Sequence, residues 1–208
     1  MTKRHLLIIC LIAASFIGAV SSQEIRTNEE KDVTQINSTN DWHPDTKVLD
    51  SYAGQTDPLS GEAYGTSLVH DVKNFYQLLH DKKWSETYEL HAKAFREDNQ
   101  ETDCLAMAKK YESKWDLVNY EILSVQVDAS PGSTNVDEAM LICKFTEHLG
   151  LPRFAGYHEL VDPIPFSQDS YAAVFWHREN GVWKCMSAGP INYKLFEGAA
   201  RPPTIDWR

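Results

Sequence analysis

The apolar positions of this 208-residue chain fall into three regimes. Residues 6–20 form an apolar run, residues 23–65 show no sustained periodicity, and residues 66–188 alternate first with helical and then with strand spacing. Leu68, Val72, Phe75, Tyr76 and Leu79 predict a helix from about Thr66, with Thr66 or Ser67 as its N-cap. Trp84, Tyr88, His91 and Phe95 share one stripe of a second helix, which Asp81 can cap. A third helix runs from about Asp103 to Lys114, with Leu105, Ala108 and Tyr111 inward; its Ala, Met and Lys content favours that conformation.

The period then changes. Leu117 to Val127 is rich in Val, Ile, Leu and Tyr and reads as a strand that Pro131-Gly132 ends; Glu138 to Thr146 reads as a second. Pro152, Gly156, Pro163 and Pro165 break the following stretch into a long loop, with Asp162 as a turn former. Tyr171 to Ser187 then predicts a β-hairpin: two aromatic-rich runs flank Asn180-Gly181, a pair that tolerates the positive φ angles of a tight reversal. On its second strand Lys184 should face solvent, which turns Trp183, Cys185 and Ser187 inward. On the first strand both faces carry aromatics, so either set could be the inner one. A sheet with two apolar faces suggests that its outer side is also covered, by a second subunit or by the tail beyond Gly189-Pro190, which carries Tyr193, Phe196 and Trp207. A homodimer through the outer face is therefore expected. Helices followed by an antiparallel sheet predict an α+β fold in which three helices cover one face of about four strands.

Two stretches carry a family resemblance. Val69 to Leu90 resembles the opening helices of the NTF2-like superfamily, in which a first helix ends, a short turn follows and an aromatic begins the next helix. Asn180-Gly-Val-Trp-Lys-Cys185 is similar to that superfamily's closing hairpin, except that Cys185 stands where an aliphatic residue is usual. The resemblance spans about Thr66 to Ala188 and implies a cystatin/NTF2-like cone, the shape also seen in ketosteroid-isomerase-like proteins. Isomerases, dehydratases, cyclases and domains without activity share that cone, so the resemblance implies a fold more than a reaction. The isomerase branch uses an Asp base with a Tyr–acid pair that polarises a carbonyl; no local motif of this chain transfers that arrangement.

Charge and leading sequence set the compartment. Lys3 and Arg4 precede the fifteen-residue apolar run Leu6 to Val20, and Ser21-Ser22 follow, a pattern that predicts a signal peptide cleaved after Ser22. The run is shorter than the ~20 residues of a membrane span, so no stable membrane anchor is expected after cleavage. The protein is then exported, periplasmic or extracellular. Loss of Lys3 and Arg4 moves the formal charge from −10 to −12, which disfavours nucleic acid as a partner. Residues 23–65 hold nine acidic and three basic residues and read as a flexible acidic leader, with Trp42, Tyr52 and Tyr64 as possible pins. Asn37-Ser-Thr39 matches a glycosylation acceptor. The domain proper is expected over 66–190, with 191–208 as its tail.

Candidate chemistry is sparse. Eight histidines are scattered without metal-ligand spacing, and phosphate, dinucleotide and nucleophile-elbow motifs are absent, so no metal and no cofactor is expected. Cys104, Cys143 and Cys185 lie in apolar patterns and read as three free thiols. Glu147-His148 and His158-Glu159 put carboxylates beside imidazoles, but strand neighbours face opposite ways, and side chains solvated on the surface are the simpler reading. Tyr76, Tyr88, His91, Tyr111 and Trp183 are the candidate ligand-binding residues, with aromatic bodies and polar tips. Three functions stay open: a domain binding a small, partly apolar ligand or a protein partner; an isomerase- or dehydratase-like enzyme using His91 or a loop acid as base and Tyr88 as donor; and a structural module with a filled cone.

Overall fold

The computed structural model describes residues 42–112, 115–155 and 159–190. The signal run, Asn37, His158 and the tail 191–208 lie outside them. The architecture is α+β, with helices on one face of a four-stranded antiparallel meander in the order β1-β2-β3-β4. The helices are α1 (Lys47–Asp50), α2 (Gly65–His80), α3 (Trp84–Glu89), α4 (Lys93–Asp98) and α5 (Glu101–Tyr111). The strands are β1 (Trp115–Asp128), β2 (Glu138–Ala155), β3 (Glu159–Glu179) and β4 (Val182–Pro190).

Helix α2 buries the stripe its spacing predicts: Leu68, Val72, Phe75, Tyr76 and Leu79 are all buried. They meet the inner sheet face, where Leu117, Tyr120 and Ile122 of β1, Leu141, Cys143 and Phe145 of β2, Val174 and Trp176 of β3, and Trp183 and Cys185 of β4 join one core. The undecided face of β3 is thereby resolved: Ala172, Val174 and Trp176 point inward. Bulges at Leu117/Asn119 and Ile122/Ser124 reset the alternation of β1, which keeps Trp115, Leu117, Tyr120, Ile122 and Val125 on one side despite their uneven spacing. The hairpin turns at Asn180 and Gly181 with φ of 53° and 83°, as the dipeptide predicts. Simple alternation fails once on β4. The register steps between Phe175↔Ser187 and Trp176↔Cys185, so Ala188, past the bulge, packs on the inner core.

Four expectations change. First, Thr66 and Ser67 do not cap α2. The N-cap is Tyr64, while the Thr66 hydroxyl donates to the Ala53 carbonyl and the Ser67 hydroxyl to the Tyr64 carbonyl. Second, Asp81 closes α2 at its C-terminus and Lys83 precedes α3. Third, the second helix is two helices, α3 and α4, separated at Leu90–Ala92. Fourth, the stretch read as a loop continues the sheet. β2 and β3 pair from Glu138↔His177 out to Ala155↔Glu159, with a register shift between Leu151 and Arg153 that absorbs the first proline. Asp162 falls inside β3 rather than in a turn. Beyond Leu149 this ribbon has outrun β1, and before Ala172 it has outrun β4, so among the described residues its far end pairs only within itself.

Residues 42–64, read as part of a flexible leader, fold onto the domain. Asp45 bridges Glu121 in parallel: its amide donates to the Tyr120 carbonyl at 3.0 Å and its carbonyl accepts from Ile122 at 2.9 Å. Leu49 and Tyr64 are buried in the main core, and the Trp42 ring stacks on His80 at 4.1 Å. The Tyr52 hydroxyl donates to the Val125 carbonyl. Few apolar residues suffice here because backbone bonds and caps supply the rest. The buried Asp57 carboxylate accepts from the amides of Leu59 and Ser60 and from Val136 across the domain.

Residues 42–64 form a strap that meets α2 at Gly65, where a Cβ would lie 1.6 Å from the Tyr52 carbonyl oxygen. Gly65→Ala is therefore expected to cost about 2 kcal/mol or more in urea unfolding, through the backbone shift it forces. Gly54→Ala, with nothing within 4 Å of its Cβ, is the control and should change stability by less than about 0.5 kcal/mol. Equal stability of the two variants would mean that the strap does not dock on Gly65.

Candidate functional site

A cavity of about 40 Å³, open on one side, lies between the helices and the β4 side of the sheet. Its wall draws on α2 (Phe75, Leu79), α3 (Trp84, Thr87, Tyr88), α4 (Phe95), α5 (Cys104, Leu105, Ala108), β1 (Trp115) and β4 (Cys185, Ser187, Ala188), with His91 between α3 and α4. The lining is almost wholly apolar, and no charged side chain belongs to it.

His91 sits where it does because the chain leaves the helix to pair with β4. The Leu90 carbonyl accepts from Cys185 at 2.9 Å and the Ala92 amide donates to the Cys185 carbonyl at 2.8 Å, which makes His91↔Cys185 a parallel bridge. The imidazole is 7% exposed, stacks on Phe95 at 4.2 Å and meets Phe75 edge-on at 5.3 Å. Its Nδ1 lies 3.0 Å from the Thr87 carbonyl oxygen. A carbonyl only accepts, so Nδ1 carries the hydrogen and Nε2 carries a lone pair. Nε2 makes no hydrogen bond among the described residues. Burial pushes the imidazole pKa down to about 4; the charges of Arg96 and Lys184 push the same way, against the bonds to the Thr87 and Tyr88 backbone. At neutral pH the ring is an uncharged acceptor.

Tyr88 lines the cavity with its ring, but its hydroxyl donates to the Asn99 carbonyl at 2.7 Å. That proton is committed to holding the turn after α4. Tyr76 and Trp183 are core residues, fully buried away from the cavity wall; the Tyr76 hydroxyl contacts the Cys143 sulfur at 3.6 Å. Tyr111 is the last residue of α5. Of the five candidate residues, Tyr88 and His91 thus reach the cavity, while Tyr76 and Trp183 build the layer behind it. All three thiols of the described residues are free and buried, as expected. Burial pushes Cys143 up to about 12, so it stays a protonated, unreactive thiol.

Glu147 departs most from the sequence reading. It is 1% exposed rather than a surface residue, because the inner face of β2 runs Cys143, Phe145, Glu147. Its carboxylate accepts from the Trp115 indole at 2.8 Å and from the Ser170 hydroxyl at 2.7 Å. Behind the cavity wall, it fixes the orientation of Trp115. The Trp84 indole nitrogen, on the same wall, is buried without a partner. The period-two parity of Cys143, Phe145 and Glu147 was the available signal for Glu147; a carboxylate beside a histidine obscured it. Among the described residues no group of three or more His, Cys, Asp or Glu is placed to hold a metal ion, and no helix is long and apolar enough to cross a membrane.

No family model and no curated protein matches the sequence. Among solved structures, the chain is similar to a candidate dehydratase of the NTF2-like family from Streptomyces avermitilis, at 14% identity over 62% of this chain and 96% of that one, with a TM-score of 0.40. It is also similar to a candidate Ca/calmodulin-dependent kinase II association domain from Exiguobacterium sibiricum (14% identity, 63% and 95% covered, TM-score 0.41). A candidate polyketide cyclase from Xanthomonas campestris is a third (9% identity, 61% and 91% covered, TM-score 0.36). These TM-scores, all below one half, carry no argument about chemistry. The α+β architecture, helices on an antiparallel meander, stands on the pairing described above and is the one the NTF2-like resemblance implies.

His91 makes stability depend on pH. Above its unfolded pKa near 6.5, both states are neutral and the residue contributes nothing to the slope. Between about 6.5 and 4 the unfolded chain takes up a proton that the folded chain refuses, so stability falls as pH falls, by up to about 3 kcal/mol. His91→Gln should flatten this flank in urea unfolding measured across that range. An unchanged flank would show that the imidazole titrates normally in the folded protein.

Proposed function

We propose that this protein is an exported NTF2-like domain that binds a small, partly apolar ligand in the cavity between α2–α5 and β4, without turnover. The observation that carries the reading is the cavity itself: an apolar space that opens to solvent, with the His91 Nε2 lone pair and the Trp84 indole N–H unpartnered on its wall among the described residues. Apolar walls with few placed polar groups are the usual build of a small-molecule site. A water needs roughly 10–15 Å³ of such space, so the enclosed part suits a small ligand or the end of a longer one. Export rests on the pattern of Lys3, Arg4 and residues 6–22.

An acid–base enzyme at the same place has less support. A histidine with a pKa of about 4 is a weak base at neutral pH, and the Tyr88 hydroxyl has no free proton to offer an oxyanion. A homodimer through the outer sheet face is the second reading, favoured by the apolar cluster of Met140, Ile142 and Ala173 with Leu123 and Phe175 on that side. Those three core members are already buried within one chain, at 3–4% exposure, so a second copy is not needed to cover them.

Native mass spectrometry of protein purified without denaturation separates these readings. An added mass of one small organic molecule per chain, lost on unfolding, is the expected result. A bare monomer mass that stays bare after incubation with a panel of small neutral amphiphiles would remove the binding reading. A bare dimer mass would favour the second.

A further inference from the structure

Three polar groups face or back the cavity wall: the Trp84 indole N–H, which has no partner, the Ser187 hydroxyl, and Nε2 of the His91 imidazole, the one of the three that can only accept. Nε2 of His91 belongs to a side chain that is more than nine-tenths buried, on the cavity wall, with its tautomer fixed by the Nδ1 bond to the Thr87 carbonyl. It offers a lone pair and has no hydrogen to give. Around it stand the rings of Phe75, Phe95, Trp84 and Trp115, which offer apolar contact; the Trp84 indole N–H and the Ser187 hydroxyl are the wall's donors, beside the weak thiols of Cys104 and Cys185. The neighbouring cations are held elsewhere: Arg96 pairs with Glu89 at 3.0 Å and the Lys184 ammonium donates to the Glu89 carbonyl at 2.9 Å.

We propose that the cavity selects an uncharged ligand with an apolar body and one hydrogen-bond donor, an alcohol, phenol or amide N–H, that donates to Nε2 of His91. This inference rests on the ligand-binding reading above and adds its chemical class. Three competing classes fail for separate reasons. A carboxylate has no hydrogen to give Nε2, and even with the Trp84 N–H and the Ser187 hydroxyl nearby its charge would enter an apolar space that supplies no counter-ion. An ammonium has donors, but it loses its hydration in the same space and approaches the positive charges of Arg96 and Lys184. A pure hydrocarbon fits the walls but leaves Nε2 buried and unpaired, which a donor would relieve. The buried Glu147 does not alter this order, because its carboxylate already accepts from Trp115 and Ser170 behind the wall.

The test compares phenol, benzene, benzoate and benzylamine, four probes of similar ring size, by ligand titration at pH 7 with the imidazole ¹⁵N signals of His91 as readout. Phenol is expected to bind roughly five- to tenfold tighter than benzene, the range of one net hydrogen bond. Benzoate and benzylamine are expected not to bind. Phenol should move the Nε2 signal upfield, as an accepted hydrogen bond does, and leave Nδ1 in place. His91→Phe keeps the ring against Phe95 and should bring phenol and benzene to equal affinity. The ¹⁵N readout on the unmodified protein decides the matter if that variant does not fold. Benzene and phenol binding equally, with Nε2 unmoved, would overturn the ligand class and leave the cavity reading standing. Tightest binding by benzoate or benzylamine would do the same. Binding of none of the four would overturn both.

Discussion

The rest of the domain is arranged around two backbone hydrogen bonds, Cys185 N–H to Leu90 O and Ala92 N–H to Cys185 O. They pull three residues of a would-be helix onto β4, and three consequences follow at once. The second helix breaks into α3 and α4, and α5 follows to close part of the cavity wall. His91 is carried into the interior, where desolvation keeps it neutral. The space between the divided helices and β4 becomes the cavity, because a continuous helix would have laid its stripe flat on the sheet. A polar side chain at such a junction would normally be a cost; here Thr87, one turn earlier, satisfies half of it and sets its tautomer.

How far the sequence disclosed this depends on where the controlling interaction was local. The α2 stripe is a same-helix pattern, and the Asn180-Gly181 turn needs only two residues, so both could be read directly. The break at Leu90–Ala92 could not: no glycine or proline marks it, Trp84, Tyr88, His91 and Phe95 keep helical spacing across it, and its cause lies nearly a hundred residues away on β4. Composition misled at residues 42–64, where acidity and turn residues read as a leader; the aromatic pins Trp42, Tyr52 and Tyr64 do dock, but Leu49 and the Asp45 bridge, which make the segment part of the fold, went unread. Proline misled in the opposite sense over β2 and β3. A ribbon that pairs on one side only can lose outward amides without losing its ladder, so Pro152, Pro163 and Pro165 are compatible with strand.

The site was half legible for the same reason. Tyr88 and His91 could be singled out as aromatic residues with polar tips, and both line the cavity. Which of those tips is available was a matter of partners outside the helix. Asn99 takes the Tyr88 proton, while nothing among the described residues takes up the lone pair of His91 Nε2. Tyr76 and Trp183 satisfied the same sequence criterion but belong to the core, since aromatic character alone does not separate a wall from the layer behind it. Glu147 shows the reverse: a charge is placed inside because Trp115 and Ser170 are there to solvate it.

The strap at Asp45 and the crossing at His91 share a property that bears on solubility rather than on ligands. An open meander has two outer strands with free backbone groups, each a template for pairing with another chain. Here Asp45 occupies the free side of β1 at Tyr120–Ile122, and Leu90–Ala92 occupies the free side of β4 at Cys185. The two-stranded ribbon beyond Leu149 has no third strand among the described residues, and there Pro152, Pro163 and Pro165 have no amide hydrogen to offer an incoming strand. The molecule therefore guards against fibril-like growth by different means at each margin: a strap, a broken helix and imino acids.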